Sequence, residues 1–171
     1  MKTFSSTTII AVLLLVIIIG CTSKQNDQLT QQQQDQIKKE IKVVCDSIMA
    51  KVNRLDTGWL DYYMDSPDWK LFANPDGTRW DYQYTKKVLP DIFKEFTSTK
   101  WTTTSQDFKF LTKDIVLCAW VTKDESIIKS GDKITCDPHA YTLIFKKIAG
   151  QWKVIYSHDS GIQVTQKAEK K

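Results

Sequence analysis

Apolar residues fall along this chain in three successive rhythms. The first is an unbroken run from Ile9 to Ile19, preceded by Lys2 and closed by Gly20 and Cys21, the layout of a signal-peptide core. Eleven helical residues rise only ~16 Å against a hydrocarbon layer of ~30 Å, too short to span a bilayer comfortably. The second rhythm places Ile37, Ile41, Val44, Cys45, Ile48, Val52 and Leu55 at steps of three and four, the stripe of an amphipathic helix. Thr30 with Gln33 three residues later forms a capping box that opens it. The third rhythm fills residues 100–110, 113–123, 135–147 and 151–160 with Thr, Val, Ile, Trp, Tyr and Phe, which predicts four long strands. Ala149 and Gly150 sit in the last tight turn, and a longer loop from Asp124 to Ile134 precedes it.

Between helix and strands the pattern is choppier. A short helix is predicted from Asp56 to about Met64, stopped by Ser66, Pro67 and Asp68. Trp69, Leu71 and Ala73 alternate with polar or outward partners as a brief strand, closed by the turn Asn74, Pro75, Asp76, Gly77. A third helix is expected from about Tyr82 to Thr97, bent at Pro90. Helices first and antiparallel strands after, with no internal repeat, predict one α+β domain: three helices packed on one face of a curved antiparallel sheet.

The start of the chain changes what that domain is attached to. Ile18, Ile19, Gly20, Cys21 resembles a lipobox, so the chain is read as a lipoprotein cut before Cys21 and lipidated there. Residues 1–20 are then signal peptide, 21–30 a lipidated cysteine and polar tether, 31–162 the domain, and 163–171 a basic tail. The expected location is the cell envelope, held on a membrane by lipid on Cys21. Thr22 rather than an aspartate follows Cys21, which favours an outer membrane. Two or three acyl chains, at ~0.8 kcal/mol per buried methylene, hold durably.

Charge and cysteine count add exclusions more than roles. The formal charge of +4 falls to +3 once Lys2 leaves with the signal, too little to suggest nucleic acid as a partner. Cys45, Cys118 and Cys136 remain after Cys21 is spent, an odd number that allows one bridge at most and no disulfide framework. The only histidines, His139 and His158, make no metal pattern with them, so neither metal nor cofactor is expected.

Two stretches carry a resemblance. Asp61, Tyr62, Tyr63, Asp65 to Asp68 and Asn74 to Gly77 resemble the second helix, first strand and turn of nuclear transport factor 2-like domains, and Tyr141 to Lys147 with Gly150 to Ser160 are similar to the final hairpin of that superfamily's polyketide-cyclase-like and ketosteroid-isomerase-like branches. The resemblance implies a cone-shaped domain with a pocket at its open end, in a superfamily that holds enzymes, ligand binders and dimerising modules.

Pairing the last two strands about the Lys147–Trp152 turn sets Phe145 opposite Val154, Leu143 opposite Tyr156 and Tyr141 opposite His158. On that register Tyr141, Tyr156, His158 and His139 line the mouth, joined by Trp120, Tyr62 and Trp80 as ligand-binding candidates. His158 is the candidate general base, with Asp61 or Tyr141 to orient it; a structural histidine bonded to a carboxylate or tyrosine is the competing role. No full catalytic set can be assigned. The function expected is therefore non-catalytic binding of a small apolar or aromatic molecule, or association, including as a homodimer. The alternative is an isomerase, dehydratase or cyclase that uses His158.

Overall fold

The computed structural model describes residues 29–67, 69–72 and 79–169. The expected signal peptide, Cys21 and the Asn74–Gly77 turn lie outside the described residues. Thr30 caps α1 (Gln31–Val52) as its spacing predicts: the Gln33 amide donates to the Thr30 hydroxyl, and the Thr30 amide donates to the Gln33 side chain. A 3-10 helix (Thr57–Tyr62) follows, then β1 (Lys70–Phe72), β2 (Arg79–Asp81) and α2 (Tyr82–Lys94), which contains Pro90. Four long strands complete the chain: β3 (Phe96–Phe110), β4 (Ile115–Ile128), β5 (Lys133–Ile148) and β6 (Gln151–Gln166).

The sheet runs in the order β2-β1-β6-β5-β4-β3. Only β1 against β6 is parallel; the other neighbours are antiparallel. The α1 stripe of Ile37, Ile41, Cys45, Ile48 and Val52 is buried against Val116, Cys118, Trp120, Leu143, Phe145, Trp152 and Val154 from the sheet. Burial of each such Ile or Val contributes roughly 1.5–3 kcal/mol relative to exposure, so this helix-on-sheet contact is the main adhesive of the domain. Glu40, on the same helix, accepts hydrogen bonds from Trp152 Nε1 at 2.8 Å and Lys147 Nζ at 3.0 Å. That pair pins α1 across the β5–β6 hairpin. A second, smaller core of Leu60, Trp69 and Tyr82 closes the other side, through edge-on contacts of Trp59 with Tyr63, Tyr63 with Trp69, and Trp69 with Tyr82.

Three expectations are corrected. The strands are longer than the residue texture suggests: β4 and β5 continue through the segment expected as a loop, leaving only residues 129–132 between them. β6 runs on to Gln166, so the first four residues of the expected tail are strand, and Lys167 and the Ala168 amide are tied to Asp132. Finally, the β5–β6 register shifts. Phe145 does oppose Val154, but a bulge beyond that pair sets Ile144 opposite Tyr156, Leu143 opposite Ser157, Thr142 opposite His158 and Tyr141 opposite Asp159. One extra residue reverses every side chain after it.

Candidate functional site

The bulge decides which residues of β6 face the helices. Trp152 and Val154 point inward before it; Ser157, Asp159 and Gly161 occupy that face after it, opposite Leu143, Tyr141 and His139. Tyr156 and His158 turn to the other face, and His158 is exposed and beside Phe72 of β1 in the parallel pair. The expected placement of Tyr156 and His158 on the pocket wall is therefore corrected. Asp61 is exposed and its carbonyl accepts from Lys153; the carboxylates on His139 are those of Asp124 and Asp159.

A second irregularity builds the other half of the site. On β4, Val116, Cys118, Trp120, Thr122 and Asp124 keep strict alternation and are all buried. On β5 the inward series passes from Leu143 through Tyr141 to His139, then a bulge spanning Asp137 and Pro138 re-aims Cys136 and Ile134 to the same side. Thr122 stands opposite His139, and Asp124 opposite Cys136. Three adjacent strands thus bring Asp124, His139 and Asp159 together inside the domain.

His139 sits between the two carboxylates. Its Nδ1 lies 2.5 Å from Asp124 Oδ2 and its Nε2 lies 3.2 Å from Asp159 Oδ2. The exposed fractions of the three side chains are 13%, 9% and 14% for His139, Asp124 and Asp159. Thr122 donates its hydroxyl to Asp124 Oδ1 at 2.5 Å. The Tyr141 hydroxyl is 2.8 Å from His139 Nδ1 and donates to Asp124 Oδ2 at 3.3 Å. Burial alone would push the His139 imidazole down, but hydrogen bonds and charge from Asp124 and Asp159 outweigh it and raise it to about 9 from its usual 6.5. His139 is an imidazolium at neutral pH, with both N–H groups given to carboxylates. Burial, then the same two carboxylates, pushes the Tyr141 hydroxyl well above its ordinary range, so it stays protonated.

Beside this cluster lies a hollow of about 190 Å³. Val52 and Leu55 at the end of α1, Phe93 of α2, Phe96 and Trp101 of β3, and Ile134 of β5 give it apolar walls. Asp124, His139, Thr99, Ser126, Cys136 and Gln163 supply the polar ones. The Trp101 backbone is clasped by Asn53, whose side chain accepts from its N–H at 2.6 Å and donates to its carbonyl at 3.1 Å; this ties the end of α1 to β3 and sets the indole in the wall. Cys136 is held protonated by burial, then by the nearby Asp124, Asp159 and Asp137. A wider depression of about 870 Å³ lies outside the cone along the start of α1, among Gln32, Gln36, Lys39 and Lys113. It is an open surface trough that includes none of Asp124, His139 and Asp159.

Gly161 is a steric condition of the site. A Cβ there would collide with the Cys136 sulfur and come within 3.2 Å of both His139 Cδ2 and the Pro138 carbonyl. A bare backbone on β6 lets the β5 bulge press close enough to seat His139.

Of the residues singled out from sequence, His139 lines the hollow and Tyr141 bonds to its polar cluster. Trp120 is buried in the main core, donating Nε1 to Thr103 at 2.9 Å. Tyr62 packs against that core from the 3-10 helix, and Trp80 lies on the edge strand β2 against Tyr84; neither lines the hollow. Sequence reasoning missed Asp124, Asp159 and Trp101. Unbroken alternation from Val116 to Asp124 was a signal that the strand runs on; nothing local marks the bulge that turns Asp159 inward. The three charged groups do not converge on a common point, and among the described residues no group of His, Cys, Asp and Glu is arranged to hold a metal ion.

The sign of the pH effect follows from the raised imidazole. Folding favours the protonated form, so the stabilisation is full below about pH 6.5 and is lost as pH rises through about 9. Urea denaturation should show stability falling between those values, and His139→Gln should flatten that part of the profile. An unchanged slope in the variant would place the titration elsewhere.

The comparisons agree with this architecture. A family model for the SnoaL-like domain matches residues 30–165. No curated protein sequence matches the chain. Among solved structures, a hexachlorocyclohexane dehydrochlorinase, LinA type 2, is similar with a TM-score of 0.69 at 11% identity, covering 80% of this chain and 93% of that one. A protein named as a scytalone dehydratase from Novosphingobium aromaticivorans aligns with a TM-score of 0.72 at 12% identity, covering 83% and 94%. A nuclear transport factor 2-like superfamily protein from Salmonella enterica serovar Typhimurium aligns with a TM-score of 0.66 at 13% identity, covering 75% and 92%. At such identities the structures speak for the fold alone, while the family model spans most of the sequence: the chain belongs to the SnoaL-like family and has the nuclear transport factor 2-like fold.

Proposed function

We propose that this protein is a membrane-anchored lipoprotein whose cone binds a small, largely apolar molecule without transforming it. The anchoring half rests on the sequence, on the short apolar run and the lipobox ending in Cys21. Among the described residues no helix is long and apolar enough to cross a membrane.

The binding half rests on the hollow and on the state of His139. A dry apolar cavity of ~150 Å³ takes a benzene-sized guest, and the hollow here is about 190 Å³, room for one ring with a short substituent. The observation that carries the non-catalytic reading is the double clamp. A general base needs a lone pair facing its substrate, and both His139 nitrogens are turned to carboxylates. Asp124 is similarly engaged, with Thr122 on one oxygen and His139 and Tyr141 on the other.

One observation favours a second reading: a histidine in contact with carboxylates beside a cavity, in a fold shared with proteins named as a dehydrochlorinase and a dehydratase. In that case His139, giving up its proton as an acid, stands in place of exposed His158, for which the sequence suggested the role of general base.

Two measurements test the proposal. Mass spectrometry of the membrane-extracted protein should find an acylated Cys21 at the N-terminus, and Cys21→Ser should stay unacylated with its first 20 residues attached; an unmodified Cys21 sinks the anchor. Incubation with a library of single-ring compounds should yield binders recovered chemically unchanged. Loss of water or hydrogen halide from a bound compound, abolished in His139→Gln, would replace the binding reading with the enzymatic one, and a library without binders would remove both.

A further inference from the structure

The charge of the site is uneven. Asp124 and Asp159 bring two negative charges into the interior and His139 returns one positive charge, so the cluster keeps a net negative charge. None of the residues lining the hollow is a lysine or arginine. The lysines near this part of β4 and β5 lie elsewhere: Lys123 and Lys133 pair with Glu125, and Lys123 also with Asp137, on exposed or half-exposed side chains. Tyr141, Cys136 and Tyr63, titratable groups near the cluster, are all pushed toward their neutral forms, by burial first and then by neighbouring charge. Of the three charged groups, Asp124 and His139 line the hollow and Asp159 does not; the Asp159 Oδ1 is buried and accepts no hydrogen bond among the described residues.

The walls fit the same charge. Phe93, Phe96 and Trp101 contribute three aromatic rings to one hollow, and an aromatic face attracts a cation placed within about 6 Å of its centre. Burying a second negative charge next to Asp124 would be opposed both by the carboxylates and by low local polarisability. Resting on the binding reading above, we infer that the ligand is a small organic monocation, an amine with an apolar body about one ring in size. Its ammonium sits at Asp124, the carboxylate of the cluster that lines the hollow, and balances the cluster's net charge while its body fills the aromatic part.

Three near-isosteric probes separate the charge from the shape: benzylamine, benzyl alcohol and benzoate, titrated into the purified full chain at pH 7 by calorimetry. Benzylamine should bind at least roughly tenfold more tightly than benzyl alcohol, as a charge-assisted contact implies, and benzoate most weakly. Asp124→Asn, or Asp159→Asn should the first fail to fold, removes one negative charge and should bring benzylamine down to the affinity of the alcohol. Equal binding of amine and alcohol, or preference for benzoate, overturns the inference while leaving a ligand-binding cone. A benzylamine preference that survives the folded variant also overturns it, because the carboxylates would not be its source. Binding of none of the three overturns the inference, and with an empty library result the binding reading as well.

Discussion

The interior of this domain is organised by an imidazolium held between two carboxylates. Asp124, His139 and Asp159 come from three consecutive strands of one sheet, with His139 in the middle strand and an acid on each side. Buried charges are tolerated only when paired and hydrogen-bonded, so each strand must keep its register with the next to within a residue. Gly161 gives the middle strand the space to approach, Thr122 and Tyr141 fill the remaining valences of Asp124, and the bulges bring the right side chains to the concave face. Charge and geometry thus constrain each other: the cluster selects the register, and the register assembles the cluster.

The apolar core plays the complementary part. The α1 stripe and the sheet residues from Val116 to Val154 close the narrow end of the cone, where the Trp120 and Trp152 indoles are bonded to Thr103 and Glu40. The polar cluster lies farther along the same strands, where α1 ends at Val52 and α2 reaches Phe93, and there the helices no longer fill the sheet's concave face. A hollow remains in that place because the two helices end there. Its chemistry comes from the strands; its shape comes from the helix ends.

Much of this fold was legible in the sequence because its strongest signals are local. The α1 stripe, the Thr30 capping box and the Ala149–Gly150 turn, both of whose residues have positive φ, follow from spacing and turn chemistry. The turn even fixes Phe145 opposite Val154. The site was less legible because it depends on two bulges, and a bulge records a compromise among neighbouring strands, helices and buried groups. Past the bulge the parity of β6 reverses, so reasoning from alternation chose Tyr156 and His158 where the fold presents Ser157 and Asp159. Asp124 was hidden differently: charged residues around it, Lys123 and Glu125, made the end of β4 look like a loop, although its inward alternation never breaks. Membership of the SnoaL-like family fixes the cone and leaves the identity of these interior groups to the individual sequence.

The central claim is that His139 is a buried imidazolium with both nitrogens donating. Nitrogen-15 NMR of the two imidazole side chains at pH 7.5, with His158→Gln to assign the signals, measures this directly. The account predicts that both His139 nitrogens are protonated and hydrogen-bonded at that pH. A neutral His139 ring, with one nitrogen bare, would contradict it.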